Sequence, residues 1–176
     1  MIDIGGGDSR LVDHLVARGL RCVTVLDVSA AALSRARARL GEQADRVRWI
    51  EADVTGPWTA SRVDIWHDRA AFHFLIEAED RVRYVTHVRD VVKPGGMVIV
   101  GTFAPDGPER CSGLPVCRYD AAGIAAELGG GFTLVETVAE SHRTPTGAVQ
   151  SFSYSRFVRE RTTRTAVSGR SPWRLP

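Results

Sequence analysis

The chain has 176 residues, 44% of them apolar, and 23 basic against 21 acidic side chains give a formal charge of +2; this is enough to bury the core of one domain and gives no basic surface for nucleic acid. No run reaches the roughly 18 apolar residues of a membrane span and no basic start followed by an apolar run marks a secretory signal, so a cytoplasmic protein is expected. Cys22, Cys111 and Cys117 are odd in number and contain no C-x-x-C pair, which points to neither a disulfide framework nor a metal site.

Ile2, Asp3 and Ile4 read as a short strand that stops at Gly5. Residues 9–18 place Leu11, Val12, Leu15 and Val16 at helical spacing, with Asp8 or Ser9 as cap and Gly19 as stop. CVTVLDV (22–28) is a continuous β-branched run, as in a strand covered on both faces. Ser29 caps a helix over 31–40, and Gly41 ends it. Strands follow over 46–54 and 63–69. A helix over 78–92 turns Val82, Val85, Val88, Val91 and Val92 inward; a turn at 93–96 leads to a fifth strand over 97–103. The loop 105–115 is rich in Pro and Gly, 120–129 is a short helix, and 133–140 and 148–158 are strands joined at 144–147. Residues 159–176 are polar, Arg-rich and aperiodic, and are expected to be disordered. Alternating strands and helices predict an α/β, Rossmann-like doubly wound sheet with a closing hairpin, in one domain over 1–158.

In such a sheet a ligand sits beyond the carboxyl ends of the strands. Gly5, Gly6 and Gly7 lie there, where glycine permits a sharp turn and close approach of a ligand. Asp27, twenty residues after Gly7, ends the second strand and can accept from ribose hydroxyls. Asp53 ends the third and can accept from an adenine amino group. The dinucleotide spacing G-x-G-x-x-G is not met, because Arg10 stands where the third glycine belongs, and Asp8 at the helix start would repel a pyrophosphate. A cofactor with a sulfonium, an ammonium and no phosphate suits this loop better than a nicotinamide dinucleotide.

The motifs IDIGGG (2–7), VLDVS (25–29), EADV (51–54), IWHDR (65–69) and KPGG (93–96) stand in an order and spacing that resembles the class I S-adenosylmethionine-dependent methyltransferases, over residues 1–158. The resemblance implies the strand order 3-2-1-4-5-7-6, with strand 7 antiparallel. It implies that Gly5 and Gly7 contact the methionine part, Asp27 the ribose and Asp53 the adenine, with Asp3, Gly6, Val28, Val54 and His67 completing the cofactor-binding set. In that family a helical segment precedes the glycine loop and lids the site; here the strand comes first, so an N-terminal segment is expected to be missing. The stretch 66–85 and GLPV (113–116) look like the thiopurine and small-thiol methyltransferases, with departures at His67, Ala70 and Leu114.

Methyl transfer from a sulfonium asks the protein mainly for positioning and desolvation. The end of the fourth strand supplies the catalytic candidates His67, Asp68 and Arg69: His67 as a base near neutral pH, Arg69 to hold an anionic substrate or favour a thiolate. His73 is a further imidazole nearby. Arg69, Phe72, Phe103, Arg110 and Arg118 are expected in the substrate pocket, with Phe74 as further apolar lining. The expected activity is methylation of a small-molecule acceptor, a thiol among the candidates, by a monomer or weak homodimer with no metal, nucleic-acid or membrane partner. The competing expectations are a protein-lysine methyltransferase and a catalytically inactive cofactor-binding or interaction domain.

Overall fold

The computed structural model describes residues 1–144 and 147–161. Strand β1 (Ile2–Ile4) is only three residues long, yet Ile2 and Ile4 are fully buried, because β1 pairs in parallel with a strand on either side. Its neighbours are β2 (Val23–Asp27) and β4 (Val63–Arg69). Strands β3 (Val47–Glu51) and β5 (Val92–Phe103) extend the parallel sheet outward on each side. After β5 a two-residue ribbon, β6 (Arg110–Cys111) with β7 (Leu114–Pro115), projects from the loop. Then β8 (Phe132–Arg143) runs to the edge of the sheet, and β9 (Val149–Arg159) folds back between β8 and β5, antiparallel to both.

The large sheet therefore has seven strands in the order β3-β2-β1-β4-β5-β9-β8. This differs from the expected 3-2-1-4-5-7-6 in its last two labels. The unexpected ribbon takes numbers 6 and 7 in chain order, and the antiparallel strand beside β5 is β9.

Helices cover both faces. Helices α1 (Leu11–Ala17) and α2 (Ala30–Leu40) bury Val12, Val16 and Leu33 against Val23, Val25 and Val47. Helices α3 (Ala78–Val91) and α4 (Ala121–Leu128) bury Tyr84, Val85, Val88, Ile124 and Leu128 on the opposite face, against Ile2, Ile4, Leu26 and Trp66. Alternation along β2 puts Val25 on the first face and Leu26 on the second. The caps follow from sequence: the Ser29 hydroxyl accepts from the Ala32 amide at 3.2 Å, and the Asp120 carboxylate from Gly123 at 2.8 Å. Among the described residues no helix is long and apolar enough to cross a membrane.

Several expected boundaries move for local reasons. Helix α1 starts at Leu11, whose amide donates to the Ser9 hydroxyl at 3.1 Å. Strand β3 stops at Glu51 because the Asp53 carboxylate turns the chain, accepting from the Thr55 amide and hydroxyl at 2.8 and 2.7 Å. Val82 is 67% exposed, since the inward row of α3 is Tyr84, Val85, Val88 and Val91. Residues 93–96 lie within β5 as a bulge: Val63 pairs with Val92 and Ile65 with Met97. The expected disorder from residue 159 is overturned for its first residues: Arg159 closes β9, and the Glu160 amide donates to the Gly131 carbonyl at 2.9 Å. Residues 162–176, and the turn residues 145 and 146, lie outside the described residues.

Candidate active site

A cavity of about 570 Å³ opens at the carboxyl ends of β1 to β4. One half of its wall is Gly5 after β1, Asp27 and Val28 after β2, and Asp53 and Val54 after β3. The other half is Ala70 and Ala71 after β4, then Phe74, Leu75 and Ile76, with Leu114 and Pro115 reaching over from β7. Asp27 and Asp53 are the only ionisable side chains on this wall among the described residues.

Gly5 turns the chain at φ +67°, in the left-handed region that favours glycine, and its amide donates to the Leu26 carbonyl at 2.8 Å. Gly7 is required for a different reason: a Cβ there would lie 2.7 Å from the Ala32 Cβ and 2.8 Å from Asp27 Oδ2. Asp27 is the hub of this half. Its Oδ2 accepts from the Gly7 amide at 2.9 Å and its Oδ1 from the Ser29 amide at 2.8 Å. Each carboxylate oxygen has a second acceptor position, so the same group can also take a hydroxyl from the cavity. Val28, 72% exposed, is an apolar side chain held in the open at the rim. Asp8 does not face the cavity; it forms an exposed ion pair with Arg35 of α2 at 2.5 Å.

Asp3 and His67 are brought together, but beneath the glycine loop rather than on the wall. They face each other in register across β1 and β4, with His67 Nδ1 2.7 Å from Asp3 Oδ1. Alternation points both to the opposite face of the sheet from Ile4 and Leu26, which line the cavity. The second Asp3 oxygen is buried without a hydrogen-bond partner beneath Gly6, whose Cβ would come within 2.3 Å of it.

Asp68 is fully buried and acts as a fastener. It accepts from the amides of Ala71 at 2.9 Å and Phe72 at 3.0 Å and from the Tyr84 hydroxyl at 2.8 Å. Burial pushes its carboxyl up to about 6 despite these donors. The turn it secures includes Ala70 at φ +65°, a left-handed conformation that costs a side-chain-bearing residue roughly 1–2 kcal/mol.

The expected substrate-pocket residues are placed elsewhere. Arg69 turns away from the cavity: its Nε donates to the Tyr154 hydroxyl at 2.7 Å and its guanidinium lies over the Phe152 ring. Phe72 and Phe103 are core residues, packed against Tyr84 and Phe152 respectively. Arg110 donates to the Gly113 carbonyl, and Arg118 to the Gly107 carbonyl and Glu109, so both brace the loop that presents Leu114 and Pro115. Of the three phenylalanines named from sequence, Phe74 reaches the wall. His73 is fully buried between Phe74 and Phe103 with neither ring nitrogen hydrogen-bonded, and burial lowers its pKa to about 4, so the imidazole is neutral. In the apolar half, the residues that sequence reasoning missed are Ala70, Ala71, Leu75, Ile76, Leu114 and Pro115. For the first four the signal is the apolar density of 70–76 directly after β4.

A seven-stranded sheet with this order, glycines after β1 and carboxylates after β2 and β3 defines a Rossmann-like methyltransferase fold. Residues 1–96 match the methyltransferase domain family, and the chain belongs to that family. It is 32% identical over 109 residues to the ubiquinone/menaquinone biosynthesis C-methyltransferase of Paracoccus denitrificans, an alignment that covers 59% of this chain and 42% of that protein. The chain thus matches under half the length of this curated relative. Two solved structures share the fold. The 1,6-didemethyltoxoflavin-N1-methyltransferase of Burkholderia thailandensis, with 1,6-didemethyltoxoflavin and S-adenosylhomocysteine bound, is 20% identical, with 91% of this chain and 70% of that chain covered and a TM-score of 0.69. The N-methyltransferase NodS of Bradyrhizobium japonicum is 19% identical, with 91% and 85% covered and a TM-score of 0.68.

Proposed function

We propose that the protein transfers a methyl group from S-adenosylmethionine to a small, largely apolar acceptor. The observation that carries this reading is the division of one cavity into a half with Gly5, Asp27 and Asp53 and a half with apolar side chains alone. The wall fits the cofactor: its two ionisable groups are both acidic, which suits a sulfonium and an ammonium and opposes a pyrophosphate. Asp27 would hold the ribose hydroxyls, Asp53 and Val54 the adenine, and Gly5 the methionine part. When bound, the cofactor supplies a methyl already activated for displacement.

What remains for the chain is to place the acceptor in line and to exclude water. Phe74, Leu75, Ile76, Leu114 and Pro115 supply an apolar surface for that, and no base stands among them. The acceptor must therefore bring a nucleophile that needs little help: a thiolate, an unprotonated amine or an electron-rich carbon. The C- and N-methyltransferases in the comparisons sit within this range. A thiol stays within it, although Arg69 is not where it could favour a thiolate.

Calorimetric titration with S-adenosylmethionine tests the reading. The parent chain is expected to bind at one site, and Asp27→Asn to bind about 10- to 100-fold more weakly, as for loss of a charge-assisted hydrogen bond. Equal affinity in the two proteins, or no binding by the parent, overturns it.

A further inference from the structure

Helix α3 carries Arg81, Tyr84 and His87 at intervals of three residues, a single row along the helix. None of the three lines the cavity, yet each grips a segment that does. Arg81 Nη1 donates to the carbonyls of Leu75 and Ile76, both at 2.9 Å. Its Nε lies 2.9 Å from Glu127 Oε1, an ion pair whose angle makes no hydrogen bond, and the Tyr119 hydroxyl donates to the same carboxylate oxygen at 3.1 Å. Tyr84 accepts from the Trp66 indole at 2.8 Å and donates to Asp68, which holds the amides of Ala71 and Phe72. His87 Nε2 lies 2.9 Å from the Gly56 carbonyl, and its ring stacks on Trp58 with centroids 4.6 Å apart. The Trp58 indole in turn donates to the Val54 carbonyl at 3.0 Å.

We propose that Arg81, Tyr84 and His87 are positioning residues that set three walls of the site from one rigid rod: His87 the loop after Asp53, Tyr84 the turn after β4, and Arg81 the apolar wall at 75–76. The proposal rests on the methyl-transfer reading for its purpose, not for its contacts. Loop backbone of this kind is ordinarily the least protected part of a fold. Here its carbonyls and amides are tied to a helix whose inward row, Tyr84 included, is packed into the core. An in-line transfer loses heavily when a wall shifts by about 1 Å, so wall position has to be set from outside the wall itself.

The test uses Arg81→Met, Tyr84→Phe and His87→Phe in the full chain. Amide hydrogen exchange is followed by segment without ligand, and S-adenosylhomocysteine is titrated by calorimetry. Each variant is expected to speed exchange about tenfold in its own wall only, the response to one lost tether: around 75–78 for Arg81→Met, 70–73 for Tyr84→Phe and 53–58 for His87→Phe. The S-adenosylhomocysteine Kd should rise about three- to tenfold for His87→Phe and less than about twofold for Arg81→Met, since only the former bears on the cofactor side. Arg81→Lys should restore part of the protection around 75–78.

Exchange that rises evenly across the sheet, or nowhere, overturns the proposal. So does equal weakening of S-adenosylhomocysteine binding by the Arg81 and His87 variants. If Tyr84→Phe does not fold, the other two variants decide. If the parent binds no S-adenosylhomocysteine while exchange rises wall by wall, the tethering is supported and the methyl-transfer reading is what fails.

Discussion

Around Gly5, Asp27 and Asp53 the cavity wall consists of backbone turns and carboxylates at strand ends, whereas around Phe74, Ile76 and Leu114 it consists of apolar side chains on a loop and a ribbon. Around Gly5 and Asp27 the first half is held by a carboxylate that belongs to the wall itself. Asp27 ties the glycine loop, twenty residues back in the chain, to the start of α2, two residues on. The second half, like the loop after Asp53, is held from outside the wall, by α3 and Asp68 acting on its backbone. The contrast teaches where substitution is tolerated. Side chains at 74–76 can change while their backbone stays tied, but the glycine loop has no such latitude.

The largest expected effect is at Gly7. Gly7→Ala places a methyl against Ala32 and Asp27, so the loop or α2 must move. Overpacking of this kind costs about 1–3 kcal/mol, and titration should show S-adenosylhomocysteine binding lost even where thermal melting shows a folded protein. Parental affinity in Gly7→Ala would mean that the two halves are equally pliable.

Asp68, which fastens the second half to α3, gives a pH signature. Its folded pKa of about 6 lies above the usual carboxyl value of 3.8, so folding favours its protonated form. The associated stability is full below about pH 4 and is lost as pH rises through about 6. A shift of this size corresponds to roughly 2–3 kcal/mol. Denaturant unfolding of the parent should therefore lose stability relative to Asp68→Asn between pH 4 and 6. A pH-independent difference between the two proteins would remove Asp68 as a buried joint.

The smallest effect is at Ala70, whose left-handed backbone suits glycine better. Ala70→Gly should raise stability by up to about 1 kcal/mol, the strain relieved less the entropy glycine loses on folding. A lower melting temperature would show that the turn after β4 is tuned to alanine.

The half of the wall with Gly5, Asp27 and Asp53 was legible in the sequence because its requirements are residue types at fixed points: glycine where φ is positive or a Cβ would collide, and a carboxylate where β2 ends. The fold was legible for a similar reason, since apolar strand runs such as β2 alternated with helically spaced segments, two of them capped by Ser29 and Asp120. The apolar half was not legible. Phe72 and Phe103 are drawn into the core, and the way Arg69 faces depends on the parity of β4 against β1. The pairing of Ile4 with Asp68 turns Asp68 inward and Arg69 out. The role of α3 was equally hidden. Arg81, Tyr84 and His87 look like an ordinary polar row until the segments they reach are folded around them.

The placement of β9 carries a consequence for how the chain is made. Strand β8 is synthesised first, yet it makes no pairing with β5; β9 stands between them. Among the described residues, every one that lines the cavity precedes both strands in the chain. On a ribosome the cavity strands can therefore assemble while the outer edge of β5 still presents open backbone groups. Until β9 emerges and inserts, that edge is the point where a nascent chain would mispair with another copy.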